Sequence, residues 1–412
     1  MHQPTRVAHP VVFTALIIPF GAMSGYVSVA MAFLCTRFEL SVEDGALLVA
    51  SGMFPHVWKF LWAPIADTTL SRKRWYLISM LLCAAGITTM SAIPMGKGTL
   101  VLLEVVIFTA NLASTLLGMS VEGLMAHATA PEERGRVGGW FQAGNLGGSG
   151  LGGGAGLWMA THLPAPWMAG AGLGLAFLAC GLALRFVPEA PAEYRATGLT
   201  RATWAVVIEL WGVVRSRGGV MCAALCVLPI NTGAATSVLS QATVAAKWGA
   251  SEGTVSLVNG ALNGLFSAFG CLFAGFVCTR VRPRVVYAGV ALLMAGVSAA
   301  MALLPFTGAS YVACTLVYAF VVGMSYTAFT GFVLDAIGKG AAATKYNAFA
   351  SLSNAPITYM GLVLAWAQTH WAEKGMLFVD AGAGVLGVMV LGVIAWVLGM
   401  GLSRRNASCL SQ

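Results

Sequence analysis

Arg72-Lys73-Arg74 opens onto WYLISMLLCAAGITTMSAI, residues 75–93, nineteen positions without a single charge, and the next basic residue is Lys97. At 1.5 Å per residue such a helix is long enough to cross the ~30 Å hydrocarbon layer of a bilayer. Its backbone groups must bond within the segment, which leaves a helix as the only choice for an isolated apolar run of this length.

Eleven further stretches of this kind can be marked: 11–36, 44–66, 99–126, 137–161, 165–187, 219–246, 254–278, 285–305, 310–335, 346–369 and 377–402. They are numbered here as spans one to twelve in chain order, with 75–93 as span three. The 412-residue chain is 58% hydrophobic and only 9% charged. Soluble domains carry about 25% charged residues, so this composition excludes a cytosolic enzyme, a nucleic-acid binder and a disordered chain. The segment before span one is short and polar, and span one is too long for a cleaved leader; it reads as a retained helix.

The formal net charge of +8 is a topology signal. Connections on one side hold Arg6; Arg72, Lys73 and Arg74; Arg134 and Arg136; Arg185, Arg195, Arg201, Arg215 and Arg217; Arg280, Arg282 and Arg284; Lys339 and Lys345; and Arg404 and Arg405, eighteen in all. The other side holds four, Arg37, Lys97, Lys247 and Lys374, and Lys59 is left within span two. Basic residues collect on the cytoplasmic face, so both termini are expected inside. Eight of the nine cysteines lie in or at the edge of apolar stretches, where Cys behaves as a small hydrophobe. Cys222 and Cys226 share a helix face without a His or carboxylate nearby, so no metal site is expected.

The one long connection, 188–218, contains Trp204, Val207, Ile208, Trp211 and Val214 at helical spacing, flanked by Arg201, Arg215 and Arg217. This pattern predicts an amphipathic helix lying at the inner interface. It divides the chain into an N-terminal six-helix bundle (1–187), a linker (188–218) and a C-terminal six-helix bundle (219–412). Asn145 and Asn354, and likewise Arg136 and Lys345, stand 209 positions apart, and Asp67 and Thr279 stand 212 apart. These near-constant offsets suggest two copies of one plan.

Two parallel six-helix repeats resemble the major facilitator superfamily, whose members carry solutes by rocking two bundles about a midplane site. Ala63-Pro-Ile-Ala-Asp67 followed by Arg72-Lys73-Arg74 is similar to the loop signature of that superfamily, with Ala63 where Gly is usual and a longer spacing to the basic cluster. Lys59-Phe-Leu-Trp-Ala-Pro-Ile-Ala-Asp67 resembles the hallmark of its AmpG-like branch, which holds muropeptide, acetyl-CoA and siderophore permeases. Pro131-Glu-Glu-Arg-Gly-Arg136 with Gly144-Asn145, and Leu334-Asp335 with Thr344-Lys345-Tyr346-Asn347, are similar to later parts of the branch. The branch's paired acids in helix four are absent; Ser120-Val-Glu122 supplies one. Muropeptide carriers carry two further helices, so the length points toward siderophore-type members. The resemblance implies a multi-pass protein of the bacterial inner membrane, a monomer that moves a small polar or anionic solute, with no cofactor and the proton gradient as energy source.

Ionisable groups in a spanning helix cost roughly 2.5–3.5 kcal/mol on insertion scales, so each calls for an explanation. Lys59 lies about eight residues, ~12 Å, from the inner end of span two. It is either a site for an anionic solute or one half of an ion pair that fixes packing. Glu122 in span four is a candidate for proton coupling or for pairing with Lys59. His56, Asn145, Asn231, Asn354 and Tyr326 complete the candidate lining, with Asn231 following Pro229, where a proline-induced bend can present polar atoms. Asp67, Arg72, Arg74, Arg134, Arg136, Asp335 and Lys345 sit at span ends and are candidate gate residues. Gly144, Gly148, Gly152 and Gly156 recur every four residues and predict a groove for close helix approach. An export direction and a transport-inactive membrane sensor stay open. A membrane enzyme is disfavoured, because His127 and His162 stand without catalytic partners.

Overall fold

The computed structural model describes residues 8–38, 40–189, 199–338 and 341–399. Arg6, Pro191, Arg195, Lys339, Arg404, Arg405 and Cys409 lie outside the described residues, as do both chain ends. The described chain is helical throughout, with no strand among the described residues.

Eight helical segments are long and apolar enough to cross a membrane on their own. The difference from twelve has physical causes. Spans eleven and twelve run together through a kink at Ala372, where φ is 55°, so two stretches count as one. Span two is interrupted: Val42–Trp58 is followed by a tight turn, Lys59–Leu61, and then Ala63–Thr68. Pro64 sits in the first turn of that last piece, where its missing N–H costs nothing. Span five, Arg134–His162, is continuous but so rich in glycine that its hydropathy falls. Span seven is broken into Arg217–Val227, Ala235–Leu239 and Ala242–Ala245. Asn231 (φ 57°) and Gly233 (φ 65°) occupy the first gap in left-handed conformations.

The linker helix Leu199–Arg215 turns by 83° into span seven. Trp204, Val207, Ile208 and Trp211 lie exposed along it, while Val206 is fully buried against the protein. The Arg215 guanidinium sits 4.6 Å above the Trp211 ring. An apolar stripe facing away from the protein, at right angles to the spans, matches an interface helix.

Pairings repeat between the halves. Span four packs on spans two and three, and span three on span six; span ten packs on spans eight and nine, and span nine on span twelve. The glycine stripe of span five meets span one. Gly148 and Gly152 lie against the backbone of Ile18 and Ala22, and Gly21 against that of Asn145, so a side chain at any of these positions would separate the helices. A different set faces the other half. Gly139 meets Gly275, and Gly150 meets Gly264, with a Cβ at Gly150 only 3.0 Å from the Gly264 Cα. The predicted stripe therefore belongs to packing within one bundle, and the seam between the bundles is built from other glycines of the same helix.

Candidate functional site: a polar cavity between two six-helix halves

A cavity of about 250 Å³ lies between the halves. Lys59, Glu122, His56, Asn145, Asn231, Tyr326 and Asn354 all line it, contributed by spans two, four, five, seven, ten and eleven. Phe20, Phe141 and Phe329 supply apolar wall.

The break in span two places Lys59. Pro55 and Pro64 bracket the turn, and Trp62 Nε1 donates to Thr115 Oγ1 at 2.9 Å, pinning the turn to span four. Lys59 is 8% exposed and Glu122 5%. Their charged atoms stand 4.0 Å apart, an ion pair at the outer edge of contact and without a hydrogen bond. The other Glu122 oxygen, Oε2, accepts from Asn347 Nδ2 at 2.6 Å, and Asn347 belongs to span eleven. One buried carboxylate thus holds a cation of its own half and an amide of the opposite half.

His56 Nε2 and Asn111 Oδ1 lie 3.3 Å apart, and the His56 ring meets Phe20 edge-on. A polar chain crosses the cavity wall: Asn145 Nδ2 donates to Gln142 Oε1 (2.9 Å), and Gln142 Nε2 donates to Thr330 Oγ1 (2.8 Å). Thr330 Oγ1 lies 3.0 Å from the Tyr346 hydroxyl. Asn231 stabilises the gap in span seven by donating from Nδ2 to the Tyr287 carbonyl at 2.7 Å, while the Tyr287 hydroxyl donates to the Ile230 carbonyl. The Asn231 Oδ1 atom is buried and has no protein donor.

The candidate gate residues gather at the end that carries the basic loops, but not as one unit. Asp67 Oδ1 accepts from Arg72 Nη2 at 2.9 Å within its own half. Asp67 Oδ2 accepts from both the backbone N–H and the hydroxyl of Thr344, each at 2.8 Å, across the halves. Arg134 Nη1 bonds Asp335 Oδ1 at 3.1 Å, also across the halves. Arg136 stays local, 3.5 Å from Glu133 and largely exposed. Lys345 reaches Glu209 of the linker helix at 3.0 Å. Arg74 is exposed, and its backbone N–H caps onto Ser71. A second cavity, about 350 Å³, opens beside this latch between Arg134, Arg282, Arg284 and Asp335. Thr344 and Asn347 were quoted in the sequence only as parts of a motif. Tyr346 was quoted in the same motif, whereas Glu209 and Thr330 are additions of the structure; the polar density of residues 344–347 at the start of span eleven was the signal available.

A family model described as Major Facilitator Superfamily matches residues 11–359. The chain belongs to the major facilitator superfamily. Solved structures agree on the fold. The human organic anion transporter TETRAN is 18% identical with a TM-score of 0.66, covering 95% of this chain and 100% of its own. The proton:xylose symporter XylE, bound to 6-bromo-6-deoxy-D-glucose, is 17% identical at TM-score 0.66, covering 94% and 95%. A bacterial homologue of the iron transporter ferroportin in its outward-facing state is 14% identical at TM-score 0.62, covering 94% and 98%. No curated protein sequence matches the chain. A transporter of this superfamily, and not an enzyme, is therefore the frame for the cavity.

Proposed function

We propose that this carrier is a proton-coupled uptake permease of the AmpG-like branch, acting as a monomer in a bacterial cytoplasmic membrane on a small anionic or polar solute. The termini and the latch lie on the cytoplasmic side in this reading, as the basic loops argue. The observation that carries it is the buried Lys59–Glu122 pair on the cavity wall, with Glu122 also bonded to Asn347 of the opposite half. The state described is then closed to the cytoplasm by Asp67–Thr344, Glu122–Asn347, Gln142–Thr330 and Arg134–Asp335.

The chemistry follows from charge balance. With Glu122 ionised, Lys59 is neutralised internally, and a buried pair gains little from a further anion. A proton delivered to Glu122 cancels its attraction for Lys59. The ammonium then pairs with the anionic group of the solute, and proton and anion enter as a neutral sum. The same proton weakens the Asn347 bond, because an amide holds a carboxylate more strongly than a carboxylic acid. Loading the site therefore loosens one cross-half contact of the latch, and the bundles can rock.

The test begins with a thermal-shift screen of purified protein against anionic metabolites, siderophores and muropeptide fragments. Hits are then offered to proteoliposomes under an imposed pH step. The reading expects acid-outside uptake with proton co-movement, and solute movement without proton movement in Glu122→Gln. Uptake by Glu122→Gln that still carries protons overturns the coupling assignment.

A further inference from the structure

Besides Asp67 and Glu122, two carboxylates are buried among the described residues, Glu373 and Asp380, and nothing in the scheme above uses them. Asp380, on span twelve, is 7% exposed. Its Oδ2 accepts from Ser298 Oγ of span nine at 2.6 Å and from the Tyr318 hydroxyl of span ten at 3.2 Å. Among the described residues no ion pair forms at Asp380, whereas Asp67, Glu122, Glu133, Glu209 and Asp335 each face a cation. Lys374, six residues earlier on the same helix, sits instead over the Phe306 ring at 5.5 Å. The acid lies seven residues, ~10 Å, along the helix from Glu373, where the chain resumes after the kink at Ala372, at the end opposite the basic loops.

An uncompensated acid at this depth is costly, and packing does not require one. The first bundle meets the same packing with neutral groups. There Gly170 of span six, 210 positions before Asp380, lies directly against Ser91 of span three. The Tyr26 hydroxyl of span one closes onto Ser91 at 2.7 Å. In the second bundle the position 209 after Tyr26 is Ala235, at the start of the outer piece of span seven. Tyr318 of span ten, bonded to Asp380, has its hydroxyl beside the Ala235 backbone N–H. A continuous path thus runs from Ala235 through Tyr318 to Asp380, joining a lone acid to the piece of span seven beyond its non-helical gap.

We propose that Asp380 is a second proton-binding site, and that its charge seats the outer piece of span seven. This deepens the proton-coupled reading and rests on it. Ionised, Asp380 fixes the Tyr318 hydroxyl as a donor, which leaves the phenolic oxygen aimed at Ala235. One proton added to a carboxylate oxygen, with no other bond made or broken, leaves a weaker neutral acceptor. Tyr318 is released, and the anchor on Ala235 goes with it. Among the described residues of the packed helices, the other titratable groups near this end are Cys314 and Tyr311 of span ten, and Glu373 and Lys374 just before span twelve. Arg217, Cys222, Cys226, Arg284, Tyr287, Tyr326 and Asp335 lie in the halves of their spans toward the basic loops.

The test needs no solute. Spin labels at Lys247 and Leu303, both exposed, report the distance from the outer end of span seven to the end of span nine in the full chain in lipid nanodiscs. Wild type and Glu122→Gln are expected to exchange two distance populations between acid and alkaline buffer. Asp380→Asn is expected to hold the acid-side population throughout. Ser298→Ala removes a donor to the charged form, so its midpoint should rise by about 1–2 pH units. That shift is a readout a packing role would not give, and it decides the matter should Asp380→Asn fail to fold. A wild type insensitive to pH, an Asp380→Asn protein that titrates normally, or an unmoved midpoint in Ser298→Ala overturns the proposal. Loss of the response in Glu122→Gln alone overturns it too, while leaving the role of Glu122 intact.

Discussion

Asp67→Asn is the sharpest probe of the latch. The Arg72 bond to Asp67 Oδ1 lies within one half and persists whichever way the bundles rock, so it cancels from the comparison. The two Thr344 bonds to Oδ2 exist only while the halves are closed at this end. An Asn amide placed there turns a charged acceptor into a donor facing two donors. Hydrogen bonds to charged groups contribute about 1.5–3 kcal/mol each, so removing both shifts the equilibrium by about 3–6 kcal/mol. Each 1.4 kcal/mol is roughly tenfold, which makes the shift two to four orders of magnitude in the open-to-closed ratio. Thr344→Ala removes only the hydroxyl bond and should give about half that free energy. Double electron–electron resonance between labels at Arg74 and Gly338, exposed sites on opposite halves of this end, measures the populations directly. A short distance that stays dominant in Asp67→Asn would refute the view that this contact sets the resting state.

Three further outcomes follow from named contacts. Lys59→Ala strands a buried carboxylate, so the melting temperature should fall by the equivalent of about 3–5 kcal/mol, with most of it recovered in Lys59→Ala/Glu122→Gln; a double variant no more stable than the single would separate the two residues. Gly152→Leu drives a side chain into the span-one backbone and should leave little folded carrier in membranes, whereas Gly289→Leu, where nothing lies within 4 Å, should express normally. Lys345→Ala leaves behind only the partly exposed Glu209, which water can solvate, so stability should change by no more than about 1 kcal/mol, yet limited proteolysis in the linker should accelerate. Unaltered cleavage would show that the linker helix is held by its apolar contacts alone.

Much of the plan is legible in the chain because lipid imposes simple rules. Span length, the gathering of Arg and Lys on alternate loops and the stripe Trp204–Trp211 each answer to one physical cost. Lys59 and Glu122 were visible for the same reason, since each is an expensive residue in an apolar run. Partners were not visible. Thr344 lies 277 positions from Asp67 and Asn347 lies 225 from Glu122, and no local spacing encodes those meetings. Arg134 and Arg136 look equivalent in sequence but point about 200° apart on a helix, so one crosses to Asp335 and the other stays with Glu133. Span seven was expected to bend after Pro229, but its full gap depends on Asn231 and Gly233 adopting left-handed backbone, which composition does not announce. Asp380 was passed over inside an apolar stretch, although the same cost argument applies to it.

The glycine pairs Gly139–Gly275 and Gly150–Gly264 run antiparallel along the seam, eleven residues apart on each helix, so bare backbone meets bare backbone at two points some 16 Å apart, with only the small side chain of Ala268 against Gly147 between them. Such a bearing has no teeth. Turning about it displaces only small side chains such as Ala268, and the work of reorientation falls on the polar fastenings at its ends. Evolution can retune those fastenings one residue at a time, while any bulk added to the axle brakes travel in both directions alike.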